Sequence, residues 1–290
     1  MYDSERTQIF KIFGASILQA EELLNYSRSR LTDQFTPNLS EDEPFAEVWA
    51  IYCEESITNG AYNTLRKYLP QLDIPNLLTC PDEMTLSLYK SEAGKIPIIF
   101  TTCRDDFIAL VRALAYKNEP FTVPDSMGAC MVKGFSNRAR IIILSNIGYS
   151  GIKADELELS ENKWRDLSFI IRREHECTHY LTQRVFGSAR NNMFDELIAD
   201  YAGIVKALGR FDANLFFKFT GLENYPEYRQ GGRMDNYKGN PPLTDGAFII
   251  LQKLVHQSAL NLEKQKEHPA DAKTLIELYK LSLEELAIKN

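Results

Sequence analysis

Residues 170–181 read Ile170-Ile171-Arg172-Arg173-Glu174-His175-Glu176-Cys177-Thr178-His179-Tyr180-Leu181. Within this stretch, His175, Glu176 and His179 form one complete H-E-x-x-H motif. On an α-helix, residues four apart lie about 40° apart around the axis and roughly 6 Å apart along it, so both imidazoles can bind one cation. Glu176 is rotated about 100° from His175 and can reach a water molecule bound to that cation. The stretch therefore predicts two nitrogen ligands and an adjacent carboxylate base, the arrangement that a hydrolytic zinc centre needs.

A third protein ligand is expected, because a catalytic zinc ion usually takes three. Phe186-Gly187 predicts the end of the first helix, and a second helical pattern begins at Met193 after a short polar loop. Glu196 and Asp200 lie four residues apart, on one face of this second helix. We expect Glu196 to be the third ligand and Asp200 to hold the free N–H of one ligand histidine.

The pairing of H-E-x-x-H with E-x-x-x-D resembles the signature of the gluzincin class of zinc metallopeptidases, the thermolysin-like group. The match covers about thirty residues, 174–203. The resemblance implies a zincin fold and one Zn²⁺ per chain, bound by His175, His179 and Glu196. It also implies that Glu176 is the general base.

The charged residues before the motif depart from this pattern. The position two before the first histidine is normally uncharged in such enzymes, whereas here it is Arg173, which follows Arg172. The pair predicts that the first half of the helix faces solvent or an acidic neighbour. Cys177 points roughly 200° around the helix from His175, so we expect it to pack in the core rather than bind metal.

A coincidental motif is the alternative to a metal site, because H-E-x-x-H is short and also occurs on ordinary solvated helices. The chain has only four histidines, two of which belong to the motif, and the E-x-x-x-D helix follows at a suitable distance. These observations favour a metal site. A structural helical protein with a coincidental motif would instead bind no stoichiometric metal and keep its thermal stability in chelator.

Composition and charge are those of a soluble globular protein with one large or two small domains. The net charge of −7 and the pI near 5.3 argue against nucleic acid or an anionic membrane as a partner, because both favour a basic surface. The amino terminus carries acids rather than the apolar run of a secretory signal, and no segment is apolar enough to span a membrane. The five scattered cysteines lack C-x-x-C spacing. We therefore expect a cytoplasmic protein with reduced thiols.

The pattern of elements predicts an α+β fold, mostly helical, with a small sheet before the active-site helix, and the gluzincin resemblance implies that this fold is zincin-like. In chain order we expect a helical amino-terminal section (1–70), a sheet lobe (71–160), the zinc helix (161–186), the second ligand helix (193–208) and a helical carboxy-terminal lobe (209–290). The last four sections form the metallopeptidase domain, 71–290. Ser160 is expected to cap the zinc helix.

Helical spacing predicts the elements of the two helical sections. We expect one helix over 4–31, capped by Ser4, and one or two helices over 45–69 that break near Gly60. A single helix is expected over 270–288 near the carboxy terminus.

The sheet lobe contains alternating and β-branched runs that predict strands over 84–90, 96–102 and 140–145. Asp105 or Asp106 is expected to cap a helix between them. In a zincin, an edge strand binds extended peptide by β-addition. Either 128–132 or 139–144 is the candidate for that edge, and an ordinary sheet strand is the alternative for each.

Peptide hydrolysis passes through an oxyanion that a Tyr, His or Arg side chain stabilises beside the metal. The gluzincin resemblance implies that this donor follows the E-x-x-x-D helix, where the candidates are Tyr228, Arg233, Tyr237 and His256. His256 lies in an apolar helical stripe, so a buried core histidine is its alternative role. Tyr237 lies in a glycine-rich loop, where a surface contact is the alternative.

The function that these observations predict is zinc-dependent hydrolysis of a peptide bond in a peptide or protein substrate. The alternative is a zinc-binding regulatory or binding protein that has the zincin fold without peptidase activity. Arg172, Arg173 and the unassigned oxyanion donor favour this alternative.

Overall fold

The computed structural model describes residues 3–27, 39, 41–134, 140–187, 192–265 and 269–289. The protein is a mixed structure of helices and sheet, 59% helical. Its helices are α1 (Asp3–Ile12), α2 (Ile17–Tyr26), α3 (Phe45–Asn59), α4 (Ala61–Tyr68), α5 (Arg104–Ala115), α6 (Glu161–Phe186), α7 (Met193–Leu208), α8 (Ala213–Thr220), α9 (Asp245–Lys264), α10 (Ala272–Tyr279) and α11 (Leu283–Ile288). Its strands are β1 (Thr85–Ser91), β2 (Gly94–Thr101), β3 (Ala129–Lys133) and β4 (Arg140–Ser145).

The chain divides into two compact units, one made of residues 1–37 and 178–290 and the other of residues 38–177. The section boundary predicted at residue 70 lies inside the second of these units. In the part of the chain that the structure describes, no helix has both the length and the apolar character that a membrane crossing requires.

The unit of residues 38–177 contains a four-stranded sheet in the order β1-β2-β4-β3. β1 and β2 form an antiparallel hairpin, β2 and β4 run parallel, and β3 pairs antiparallel with β4. The run Ile141 to Leu144 of β4 is fully buried, as expected for a central strand that is covered on both faces. The interpretation of 139–144 as the edge strand is therefore wrong, whereas β3, at 129–133, does lie at an edge.

The unit of residues 1–37 and 178–290 is helical in its described part. Its 20-residue helix α9 packs against α2, α7, α8 and α11, and it buries an apolar stripe that includes Leu251, Leu254 and Val255. The closely spaced apolar positions of α9 produce this arrangement, because a helix needs a wide buried stripe to pack against several neighbours.

The single helix expected over 4–31 is wrong within the described residues, because α1 and α2 are separate. Gly14 interrupts them with a φ of +92°, a conformation that glycine adopts readily, and Ser16 then begins α2 with a capping box. The first helix begins at Asp3, so Ser4 lies inside it rather than at its cap. Residues 28–31 of that prediction lie outside the described residues.

Two further capping assignments differ from the sequence prediction. Cys103, rather than Asp105 or Asp106, precedes the first turn of α5, and no side chain caps that helix. The expected helix over 270–288 is also two helices, because Ser282 forms a second capping box that begins α11.

The two helices predicted to carry the metal ligands have the expected bounds. α6 covers 161–186, and the Ser160 hydroxyl accepts a hydrogen bond from the Lys163 amide at 3.3 Å. α7 covers 193–208, begins at an Asn192 cap and ends at Gly209 in the left-handed conformation. The break between α3 and α4 likewise falls at Gly60, as expected.

Candidate metal centre

His175, His179 and Glu196 form a group whose possible ligand atoms all lie within 4.8 Å of one another. The two histidines lie one turn apart on the continuous helix α6, so the helical repeat alone places their imidazoles side by side. His175 and Glu196 are buried, whereas His179 is partly exposed. The structure thus brings together the three side chains that the sequence predicts as ligands.

Glu196 lies in the first turn of α7, where two local contacts set its position. The Asn192 side chain caps the helix by accepting hydrogen bonds from the amides of Phe194 and Asp195. The Tyr26 hydroxyl accepts a hydrogen bond at 2.9 Å from the amide of Met193, the first residue of α7. These hydrogen bonds fix the backbone of the first turn of α7 and therefore the position of Glu196.

The spacing within this group fits the donor set of a zinc ion. Nε2 of His179 and Oε1 of Glu196 lie 3.3 Å apart. Two ligands that each lie about 2.0–2.1 Å from a tetrahedral zinc ion are separated by roughly 3.4 Å. Two imidazoles and one carboxylate also match the His₂Glu set of catalytic zinc sites, which leaves a fourth position for water.

Tyr149 determines which nitrogen of His175 faces the group. Its hydroxyl lies 2.9 Å from Nδ1 of His175, so Nε2 is the ligand nitrogen when Nδ1–H donates to this hydroxyl. Tyr149 is itself buried, and its amide donates to the Ser168 hydroxyl at 2.9 Å. The sequence analysis missed Tyr149, because it lies in the loop between β4 and α6, at no fixed spacing from the motif.

Arg172 does not face solvent, so that part of the prediction is wrong. Its side chain is buried, and its guanidinium donates hydrogen bonds to the carbonyls of Ser145, Ile147 and Gly148. Burial lowers the pKa of Arg172 to about 10. The residue fastens α6 to the loop that carries Tyr149.

Arg173 has the acidic neighbour that the sequence predicts. Its Nε donates to the Glu174 carboxylate at 2.9 Å, and its guanidinium lies 4.0 Å from the centre of the Tyr89 ring. The Tyr89 hydroxyl donates to the same carboxylate at 2.6 Å. Glu174 is thus held by an ion pair and a hydrogen bond on the side of α6 that faces β1.

Glu176 is only partly buried, so its carboxylate is open to solvent water. Its charge interacts with Arg172 and Cys177 on α6 and with Cys130 and Lys133 on β3, all in the same unit. The pKa of Cys130 is raised to about 12, chiefly by burial and secondly by the Glu176 charge. The edge strand β3 therefore runs within electrostatic reach of the predicted base.

Asp200 is fully buried and forms an ion pair with Arg233. Arg233 was a candidate oxyanion donor, but in the structure its guanidinium forms an ion pair with this buried carboxylate. The sequence analysis missed this pair, since the two residues lie 33 positions apart. The proposed hydrogen bond from a ligand histidine to Asp200 stays a prediction.

Two of the remaining oxyanion candidates, Tyr237 and His256, make other contacts. Tyr237 ends a short 3₁₀ helix, and its carbonyl accepts a hydrogen bond from the Tyr26 hydroxyl at 2.8 Å. His256 is stacked between the rings of Phe217 and Tyr225, with centroid distances of 4.5 and 4.0 Å. Burial lowers the pKa of His256, as expected for a neutral imidazole in an aromatic stack.

The candidate metal centre thus consists of three possible ligands on two helices, α6 and α7. The chain belongs to the family of unknown function DUF7005, whose model matches residues 8–77, 76–142 and 138–290. No curated protein and no solved structure matches the chain. The family assignment therefore adds no activity to what the geometry supports.

Proposed function

We propose that this protein is a zinc-dependent hydrolase with a zincin-like fold that cleaves peptide bonds. The observation that carries the proposal is the meeting of His175, His179 and Glu196, with their possible ligand atoms within 4.8 Å of one another. The order of donors, H-E-x-x-H on α6 and a glutamate on the next helix, supports the gluzincin interpretation.

Zinc in this site would supply a Lewis acid and a water molecule of lowered pKa. Glu176 lies on α6 beside the two histidines and is partly exposed, so its carboxylate can accept the proton of that water. The same carboxylic acid then returns the proton to the leaving amine. The Tyr149 hydroxyl contacts Nδ1 of His175, so Nε2 would be the nitrogen that holds the cation.

The edge strand β3 supports an extended peptide as the substrate. A peptide can add to such an edge by backbone hydrogen bonding, while its side chains provide specificity. Cys130 and Lys133 of β3 lie within electrostatic reach of Glu176, so a peptide on this edge would pass near the proposed base. A strand edge beside the proposed base therefore favours an extended peptide over a small soluble ester as the substrate.

Replacing the base tests the proposal. We expect Glu176→Gln to bind zinc as the wild type does and to lose about 10²–10⁴-fold in turnover, because the amide cannot accept the proton. Turnover is measured on broad peptide libraries with mass-spectrometric detection, and zinc content by elemental analysis. Glu161→Gln, at the exposed start of the same helix, is the matched control. Undiminished turnover in Glu176→Gln would reject Glu176 as the base.

The second candidate function is zinc-dependent binding or regulation without peptide hydrolysis. The ion pair of Arg233 with Asp200 and the aromatic stack around His256 favour it, because both residues were candidates to stabilise an oxyanion. A fully zinc-loaded wild-type protein that cleaves nothing in the peptide libraries would support this function instead.

A further inference from the structure

A second group of metal-ligand residues lies in the unit of residues 38–177. Cys80, Cys103 and Asp106 place one donor atom each within 4.8 Å of the others. Cys103 directly precedes α5 and Asp106 lies three residues later, so the helical repeat puts both on one face. Cys80 comes from the segment just before β1.

Asp106 fixes the geometry of this group. Its carboxylate is fully buried and accepts hydrogen bonds from the amides of Thr79 at 2.6 Å and Cys80 at 3.0 Å. Each carboxylate oxygen has two acceptor positions, so these amides leave room for a cation. The backbone of Cys80 is thereby hydrogen-bonded to Asp106, the side chain that could bind the same cation as the Cys80 thiol.

The donor set points to a cation rather than to a simple thiol pair. A disulfide would use only the two sulfur atoms, whereas a cation could also bind the remaining acceptor positions of the Asp106 carboxylate. Zinc binds both cysteine thiolates and carboxylates, and the two thiolates disfavour hard cations such as magnesium and calcium. Cys80 and Cys103 are partly exposed, so solvent can supply a fourth ligand.

We propose that Cys80, Cys103 and Asp106 form a second site, which binds a soft divalent cation of the zinc class. Each thiol gives up its proton and binds as a thiolate, and Asp106 binds as a carboxylate. The cation joins the segment before β1 to the start of α5, so its role is structural. The site does not depend on the proposed hydrolase centre, which has no thiolate ligand.

Cobalt(II) titration of the full-length, metal-free chain, kept reduced with a phosphine, tests the second site. Cobalt bound to thiolate gives an intense near-ultraviolet charge-transfer band, which a His₂Glu site cannot produce. We expect the band in the wild type and in Glu196→Ala, with the amplitude of one thiolate-bound cobalt ion per chain. Cys103→Ser is expected to lose the band, and Cys53→Ser, the matched control on α3, is expected to retain it.

Three results would overturn the inference. The first is a wild-type titration without the thiolate band, a result that requires no variant to fold. The second is an undiminished band in Cys103→Ser. The third is peptide mapping that finds a Cys80–Cys103 disulfide in the purified protein, together with no cobalt binding after reduction. Because Glu196→Ala removes only the first site, failure of this proposal and failure of the hydrolase proposal are separately visible.

Discussion

At the scale of single residues, the hydrogen-bond partner of the second ring nitrogen sets the orientation of each candidate ligand histidine. For His175 this partner is the Tyr149 hydroxyl, 2.9 Å from Nδ1. That His175 and His179 lie side by side could be predicted, because the four-residue helical repeat fixes it locally, and the gluzincin resemblance added Glu196 as the expected third ligand. Tyr149 and Arg233 could not, since only the folded chain brings distant loops to the site.

Tyr149→Phe should weaken zinc binding by about 10–100-fold, the usual effect of removing a partner of a ligand histidine. The phenylalanine ring keeps the packing but removes the hydroxyl that positions Nδ1. Competition with a chromophoric chelator measures the affinity. Tyr116→Phe, which keeps the stack of ring 116 on Phe121, should leave the affinity unchanged. Equal affinities for Tyr149→Phe and the wild type would show that the contact does not support the ligand.

The ligand helices were the most predictable feature at the scale of elements. Ser160, Asn192 and Gly209 mark their ends through local capping, which sequence patterns record. The order of the strands was not predictable, because pairing β3 outside β4 depends on contacts between separate segments. The breaks at Gly14 and Ser282 were overlooked, because apolar spacing continues across both.

The adjacent arginines of α6 should differ sharply in their effect on stability. Arg172→Met removes the donor to the buried Ser145 carbonyl and to the partly buried carbonyls of Ile147 and Gly148, so we expect a loss of about 2–4 kcal/mol in the free energy of unfolding. Arg173→Met removes an ion pair from a buried carboxylate that keeps the hydrogen bond from the Tyr89 hydroxyl, so it should cost less than Arg172→Met. Urea unfolding of both variants measures the difference, and equal losses would contradict the account of this loop.

Burial of ionisable groups throughout the whole molecule predicts a loss of stability in alkali. Burial raises the pKa of Cys53 from 9.0 to about 11, that of Cys130 from 9.0 to about 12 and that of Tyr201 from 10.0 to about 12. The folded chain therefore holds protons that the unfolded chain releases. Their stabilising contribution is complete below pH 9 and is lost as the pH rises toward 12. The lowered pKa values of Arg104, Lys133 and Arg172 act in the opposite sense, but these groups are fewer than the described thiols and phenols whose pKa values are raised.

We expect the free energy of unfolding in urea to fall steadily from pH 9 to pH 11. In Tyr201→Phe the decline above pH 10 should be shallower, because the buried ring remains and its titration is gone. A free energy of unfolding at pH 11 equal to that at pH 8 would show that these groups do not govern stability in alkali.

The proposed zinc centre would take its ligands from two helices. Its defining feature is that Glu196 completes the ligand set of His175 and His179. The most direct test is zinc content by elemental analysis, on protein purified without chelator or metal-affinity resin. The account predicts that Glu196→Ala retains one zinc ion fewer per chain than the wild type, whereas Asp195→Asn, the neighbouring carboxylate on α7, retains the wild-type amount. The same zinc content in Glu196→Ala and the wild type would contradict it.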